Sequence, residues 1–452
     1  MGNINSIPNS SYFTNIYDLA VIGGGPGGMM AAISARYANP KSRICILEKN
    51  NGLGKKLLLT GNGRCNYTTS LGLNELVNSF GKRGRFFFEA FNLFSNKDLI
   101  EFFKLRGVLP LYQNDFKVFP KEGNSHTILN CLKDELIKAN IDIQYNFEVN
   151  GISKFSPVNT FNDSNKIERR GTENKYFRID LNLDNNAFSK KIIISTGGLS
   201  YPQTGSSGDG YKFAQTLGHS ILEPSPSLVA IVSDYLSSLN LKGISLKNAG
   251  LSITTEGKVE DKNNGALIFT HFGISGPNPL SLGNTVGRLK KRGEEVVGII
   301  DFSPDISIEN ILNQYEEIRN SNSKKEIISI MKIILYYIPG ELVLKLFEIS
   351  GVNPHMKTGN AKNAQILQFL HNIKKFTFKI DGILPVSEAI VTEGGIPVKE
   401  INPRTMESRI IKNVYFAGEV IEMQGPEGGF NLQKAFSTGW LAGKAAASES
   451  LK

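Results

Sequence analysis

The sequence predicts an α/β fold in which a parallel-sheet domain is divided along the chain by an inserted β domain and a helical subdomain. Three observations predict it. Near the start, a short apolar strand runs into a glycine-rich turn, an alanine-rich helix and a second strand. In the middle, short strands punctuated by Gly, Pro and Asn give way to helical periodicity. Near the end, apolar strand, glycine turn and helix return.

Taken in order, Tyr17 to Ile22 is the first strand, Met29 to Tyr37 the helix behind Gly23–Gly28, and Arg43 to Leu47 the second strand, closing on Glu48. Helical spacing recurs at Phe86 to Leu105 and at Ser125 to Lys138, residues 141 to 149 read as a strand, and polar Asn159 to Asn174 suits a hairpin tip. Lys190 to Ser195 is a buried strand ending at Thr196-Gly197-Gly198. Short strands then run to about Pro304, helices fill 305–375, Phe376 to Ile380 is a strand again, and Val414 to Ala417 leads through glycines to a helix over Asn431 to Ala447. The expected boundaries are a disordered leader at 1–16, the divided domain at 17–201 and 389–452, the β insert at 202–304 and 376–388, and the helical insert at 305–375.

At 452 residues, with 40% hydrophobic and 21% charged, the chain is long enough for about three domains and can bury a substantial core. Its 45 glycines and 18 prolines point to tight turns rather than low complexity. Cys45, Cys65 and Cys131 are far apart and form no CxxC, which excludes a disulfide scaffold, a thiol redox pair and a zinc cluster; no metal site is expected, and a reduced, cytoplasmic setting is. No apolar run is long enough to span a membrane. The start fits the myristoylation pattern through Gly2 and Ser6, although an Asn/Ser-rich leader is the preferred reading. The formal charge is +9, and residues 51 to 121 carry 11 bases against 5 acids. Within that segment Lys82, Arg83 and Arg85 run into three phenylalanines; such a field attracts phosphates, though a solvated helix end over a phenylalanine core explains the pattern better.

Gly23-x-Gly25-x-x-Gly28, between strand and helix, is a dinucleotide fingerprint. The first glycine permits the turn, the second lets a diphosphate approach the backbone, and the third lets helix and strand pack closely. The diphosphate then meets free N–H groups at the helix start. Glu48, 20 residues beyond Gly28, can accept from both ribose hydroxyls and disfavours a 2′-phosphate, leaving FAD or NAD. A second glycine turn, Ala417-Gly418-Glu419 followed by Gly428-Gly429-Phe430-Asn431, suits the far end of FAD, where helix-start amides stabilise charge on the flavin. Gly54 through Asn66, with Gly54, Gly61 and Gly63, Lys55 and Lys56, and Arg64, suits a loop over diphosphate and flavin edge, and Cys65 there reads as packing rather than as a nucleophile.

These segments resemble, in the same order from Tyr17 to about Ala447, the bacterial NAD(P)/FAD-dependent oxidoreductase family also described as aminoacetone oxidase-like FAD-binding proteins. The shared stretches are GKKLLLTGNGRCNYTT, TGGLSYPQTGSSGDGY, FTHFGISGP, NPRTMES and GEVIEMQGPEGGFNLQKAFSTGWLAG. The resemblance implies a glutathione-reductase-like Rossmann FAD domain interrupted by a β-barrel and a helical insert. It implies that Gly23, Gly25, Gly28 and Glu48 hold the ADP half of FAD, and that Lys56, Thr60, Gly61, Gly63, Arg64, Cys65 and Asn66 line the path to the flavin. Thr196 and Gly197 would lie under the cofactor, with Gly418, Glu419, Gly429, Phe430 and Asn431 around ribityl and isoalloxazine. Phe430 stands where the family carries Tyr, and Ile421-Glu422 where an acidic pair is common, changes that bear on the substrate face.

Family members act on bile-acid enones, on aminoacetone, and on uridine in large-subunit ribosomal RNA. Without a second GxGxxG, NAD(P)H is expected to visit the flavin transiently as electron donor. Reducing a C=C bond also needs a proton donor, and His271, on a turn in FTHFG, is the candidate, with Tyr201 and Cys65 behind it. The leading expectation is hydride transfer to uridine in ribosomal RNA. A small-molecule reductase or oxidase is the alternative, and a non-enzymatic flavin-bound scaffold or RNA-binding module is a third reading.

Overall fold

The computed structural model describes residues 16–113, 116–155, 176–182, 186–321 and 324–448. Gly2, Ser6 and the polar segment 159–174 lie outside the described residues. The chain forms two compact units, one reaching Ser225 and resuming at Val391, the other Pro226–Ile390.

The first unit is built on a sheet of β1 (Ile16–Ile22), β2 (Ile44–Glu48), β3 (Asp142–Tyr145), β4 (Val149–Phe155), β5 (Tyr176–Leu181), β6 (Asn186–Ile194) and β7 (Val414–Phe416). Its order is β3-β2-β1-β6-β5-β4, with β7 also on β6. β1, β2, β3, β6 and β7 run parallel. The nine residues of β6 serve two partners on one side: antiparallel β5 along the first half (Phe177 opposite Ser189) and parallel β7 along the last turns (Phe416 opposite Ile194). β4 and β5 pair antiparallel, with Phe155 opposite Tyr176. Leu19–Ile22 of β1, Ile44–Leu47 of β2 and Ile192–Ile194 of β6 are buried apolar stretches of the kind central parallel strands carry, whereas Lys190 in the first part of β6 is exposed.

Helix α1 (Pro26–Ala38) is buried from Gly27 through Ala35, because the sheet lies on one side and α3 (Phe430–Ala447) on another. α2 (Ser125–Lys138) packs beside it. The α1–α3 crossing is made by small residues. A Cβ at Gly439 would run into the Gly27 carbonyl oxygen, one at Gly443 into that of Ala31, and one at Gly27 would sit 3.3 Å from the Ala435 carbonyl oxygen. The expected helix over Phe86 to Leu105 is instead a 3-10 turn (Gly84–Phe87) and two helices, Phe88–Leu93 and Asn96–Lys104. Ser95 breaks it: its hydroxyl accepts from the Asp98 N–H, and the Asp98 carboxylate accepts from the Ser95 N–H at 2.7 Å, a capping box.

The second unit carries a seven-stranded antiparallel sheet in the order 376–380, 296–301, 245–255, 258–269, 273–275, 231–232, 382–383. Its two outermost strands are consecutive along the chain, so the sheet curls back on itself. Helices Ile308–Ser321, Ile327–Ile334, Gly340–Ile349 and Asn363–Lys374 share one core with this sheet, in which Phe347 stacks on Phe369 at 3.9 Å. A helix at Pro277–Lys291, absent from the sequence reading, starts with Pro at its first turn and buries Leu282, Val286 and Leu289. Among the described residues no helix is long and apolar enough to cross a membrane.

The crossing yields a stability prediction. Gly439→Val forces two backbones apart and is expected to cost about 3 kcal/mol in urea unfolding, whereas Gly52→Ala, in open space, changes stability by less than about 0.5 kcal/mol.

Candidate functional site

All parallel strands of the first unit release their chains at one end. Gly23 N–H donates to the Leu47 carbonyl at 2.9 Å, Ser195 N–H to Ile22 at 2.9 Å, and Ala417 N–H to Ile194 at 3.1 Å. The turns after β1, β2, β6 and β7 therefore lie side by side at the carboxyl edge, where open α/β sheets bind ligands.

The three fingerprint glycines behave differently. Gly23 has φ +98°, and a Cβ there would touch the Ser195 carbonyl oxygen at 2.8 Å. A Cβ on Gly28 would collide with Gly23 and lie 2.6 Å from Ser195 Oγ, which itself donates toward the Gly23 carbonyl. Gly25 faces open space, with nothing within 4 Å of a Cβ. The start of α1 has no side-chain cap and no acid in its first turn, leaving its amides to a ligand. Glu48 is buried; one carboxylate oxygen accepts from Gly24 N–H at 2.8 Å, the other from Asn50 N–H at 2.8 Å and Asn50 Nδ2 at 2.7 Å. Held at the end of β2, it is oriented before any ribose arrives.

The 196–209 loop closes over this edge. Thr196 Oγ1 is buried without a partner among the described residues, and Asn50 Nδ2 donates to the Thr204 carbonyl at 3.1 Å. Lys49 pairs with Asp209 at 2.6 Å. A Cβ on Gly197 would lie 4.0 Å from Glu419 Oε2, and one on Gly198 3.1 Å from Glu419 Oε1. Glu419 is the centre of a small polar cluster: Lys56 Nζ donates to it at 2.7 Å, Ser200 Oγ at 3.0 Å and the Thr392 N–H at 2.8 Å. Burial pushes the Glu419 carboxyl up, but the Lys56 ammonium and these donors outweigh it and hold it below the usual range. Lys56 and Glu419 are 363 positions apart, so the ion pair ties both parts of the divided domain together.

The last turn is fastened from below. Asn431 accepts from Gly425 N–H and donates to its carbonyl, both at 2.8 Å. Gly429, at φ +90°, rests on the Thr68 carbonyl, and Phe430 is buried. Gln433 is fully buried and bonds Thr68 Oγ1 at 2.5 Å and Ser437 Oγ at 2.8 Å. Lys434, also fully buried, donates to the carbonyls of Ile421 and Met423 at 3.0 Å each and to Gln424 Oε1 at 3.1 Å. Burial pulls its ammonium down to about 7, against the pull of Glu419 and Glu422.

In the loop after β2, Thr60 donates to the Leu57 carbonyl at 2.7 Å and accepts Cys65 N–H on its own carbonyl at 2.9 Å; Asn66 accepts Val118 N–H at 3.1 Å. Gly63 accepts Ser125 N–H at 2.8 Å, Gly61 is exposed, and Arg64 lies over the Phe119 ring at 4.5 Å. The Cys65 side chain is wholly buried, and burial pushes its thiol up to about 12, so it packs rather than attacks. His271 lies in the second unit, exposed, its carbonyl accepting from Ser237 Oγ at 2.6 Å and its ring edge against Phe272. Sequence reasoning missed Ser200, Thr392, Gln433 and Lys434. Only Lys434 left a signal, a cation next to Ala435 and Phe436 near the start of a helix that is otherwise mostly apolar or small. It also missed His219, whose ring lies between Glu400 at 2.9 Å and Ser408 at 2.8 Å. That arrangement resembles a catalytic triad, but Ser408 Oγ is buried and already accepts the N–H groups of Ile410 and Ile411, so it ties a turn.

Fold and site together define an FAD-binding Rossmann protein: a fingerprint turn open at Gly25, an oriented ribose acid and a second glycine turn on the same edge. Residues 17–445 match the family described as HI0933-like protein Rossmann domain, and the chain belongs to that family. It is 26% identical to a 3-dehydro-bile acid delta(4,6)-reductase of Clostridium scindens over 95% of this chain and 98% of the relative. It is 28% identical to a ribosomal RNA dihydrouridine synthase of Escherichia coli over 94% of this chain and 96% of the relative. Its fold is similar to that of a 3-ketosteroid delta1-dehydrogenase from Sterolibacterium denitrificans, with TM-score 0.50, 11% identity, and coverage of 96% of this chain and 100% of that one.

Two outcomes test the site. Glu48→Gln weakens FAD binding about tenfold or more in a fluorescence titration. Lys434→Met strands two buried carbonyls and the Gln424 side-chain oxygen, and lowers stability by about 2 kcal/mol or more. Because the folded-state Lys434 pKa lies below the unfolded value, its burial cost is fully present below about pH 7 and fades toward pH 10. Wild-type stability relative to Lys434→Met therefore rises with pH across that window in paired urea melts.

Proposed function

We propose that this FAD-dependent oxidoreductase passes a hydride from NAD(P)H to a carbon–carbon double bond conjugated with a carbonyl, its substrate being uridine in large-subunit ribosomal RNA. The overall change is uridine plus NAD(P)H plus a proton to dihydrouridine plus NAD(P)+. FAD, when bound, supplies hydride transfer at its N5 position.

The chain's own residues prepare that chemistry. The Gly23–Gly28 turn and the α1 amides would seat the diphosphate, and Glu48 the ribose hydroxyls. Lys56, held by Glu419 and Ser200, would keep a positive charge beside the cofactor, while Asn431 and Lys434 fix the loop that would border the flavin. Thr60, Gly61, Gly63, Arg64, Cys65 and Asn66 would cover the path between the two ends, Arg64 through its side chain and buried Cys65 through its backbone. His271 is our proton donor to the substrate carbon, exposed and with no hydrogen bond at either ring nitrogen among the described residues. The three free, buried cysteines offer no dithiol route for the electrons.

The observation that carries the reading is that two relatives spanning nearly the whole chain, with unlike substrates in their names, share one reaction type, reduction of a double bond. The excess of bases in residues 51 to 121 favours a polyanionic substrate. The second reading, reduction or oxidation of a small molecule such as a steroid enone or an amine, draws on the bile-acid relative. We place the protein in the cytoplasm, where ribosomal RNA is available and unpaired cysteines stay reduced.

Nucleoside mass spectrometry tests this. Ribosomal RNA from cells lacking the gene should lose dihydrouridine at one position, restored in vitro by the purified protein with NADPH. Unchanged dihydrouridine contradicts the RNA substrate and moves the function to small molecules.

A further inference from the structure

One feature of the basic segment is absorbed by neither cofactor nor hydride transfer. Arg83 leads the 3-10 turn Gly84–Phe87 and reaches across to Glu422, within the loop held by Lys434. Beside this pair the surface of the first unit opens into a cleft of about 380 Å³. Its apolar walls are Phe86, Pro397, Ile401 and Pro403, and its cations are Arg83, Lys399 and Arg409. The volume lies within the usual range for a small-molecule site, and the lining combines flat apolar surface with few polar groups, as such sites do.

The polar groups are specific. Glu422 is almost fully buried, and its Oε1 accepts Arg83 Nη1 at 2.9 Å and Val398 N–H at 2.8 Å. Oε2 takes no hydrogen bond among the described residues, so it can accept one O–H or N–H from a ligand. Arg409 anchors Nε on the Ile401 carbonyl at 3.1 Å, which leaves its two terminal nitrogens to the cleft, and Lys399 is exposed at its rim. Three cations facing one carboxylate call for an anion. The Phe86 ring among apolar prolines calls for a flat ring, and the free carboxylate oxygen calls for a hydroxyl or amine donor. A ribonucleotide unit has all three: phosphate, base and 2′-hydroxyl.

We propose that this cleft binds one ribonucleotide unit, its phosphate at Lys399 and Arg409, its base on the Phe86 wall and a ribose hydroxyl or base amine at Glu422. The unit comes either from an RNA strand entering the site or from the adenosine end of NAD(P)H. The RNA source rests on the function proposed above; the nucleotide chemistry of the cleft does not.

The test uses the FAD-loaded full chain and the double variant Lys399→Ala/Arg409→Ala, with flavin absorbance and thermal unfolding as controls for folding. Probes are a labelled single-stranded oligouridylate, its deoxy counterpart and NADPH. The proposal expects about tenfold weaker oligouridylate binding in the variant, a salt dependence lower by about one per lost phosphate contact, and weaker binding of the deoxy probe by wild type. If the variant instead loses NADPH affinity and keeps that for the oligonucleotide, the cleft is a nucleotide site and the RNA reading fails. Unchanged affinity for both probes in a folded variant, or no binding of either by wild type, overturns the cleft. Should the double variant not retain FAD, the single exposed reversal Lys399→Glu takes its place with the same expectations.

Discussion

Two helices from distant parts of the chain meet at a crossing of glycines and alanines that brings their backbones together, and the site depends on that contact. Gly27 and Ala31 of α1 face Ala435, Gly439 and Gly443 of α3 in the same order, so the helices run parallel. A Cβ on Gly27 would also lie 3.5 Å from the Gly418 nitrogen, which brings the turn after β1 against the turn after β7. α3 begins at Phe430, about two turns before its contact with Gly27. Its N-terminus therefore projects roughly 10 Å beyond that of α1 at 1.5 Å per residue. Two partial positive charges spaced along one edge suit an extended dinucleotide with a diphosphate at one end and an electron-accepting ring at the other.

The same geometry explains the buried charges. Glu419 sits where the two halves of the domain converge, and it stays ionised only because Lys56, Ser200 and the Thr392 amide reach it from three separate segments. Lys434 spends its donors on Ile421, Met423 and Gln424, fixing a loop in which Met423 takes a left-handed conformation at φ +71°. A buried amine is a costly way to hold a loop. Here it fixes the one segment that joins the Glu419 turn to the glycines before α3.

What the sequence made legible was local. The fingerprint, Glu48 and the flanking strands follow from residue types at short spacings, and the helices at Ser125–Lys138 and Gly340–Ile349 follow from apolar periodicity. What it hid was long-range: Thr392 and Ser200 meet Glu419 through folding alone, and Gln433 reads as an ordinary helix residue until Thr68 is placed against it. The spacing of Leu282, Val286 and Leu289 was visible, but two nearby prolines read as turn chemistry and concealed a helix that starts on one of them. Ser95 and Asp98 were a readable cap inside what looked like a single helix. The small-residue series Ala435, Gly439, Gly443 was also visible, and its meaning required its partner Gly27, Ala31 on the other helix.

Both parts of the divided domain meet at one edge of the sheet, and the proposed function has a flavin there deliver hydride to a conjugated double bond. The most direct measurement reduces the FAD-loaded protein with NADPH anaerobically and follows flavin absorbance after adding unmodified large-subunit ribosomal RNA, a steroid enone or oxygen. The account predicts rapid reoxidation by the RNA with stoichiometric dihydrouridine. Reoxidation by oxygen alone, with both unsaturated acceptors inert, would contradict it.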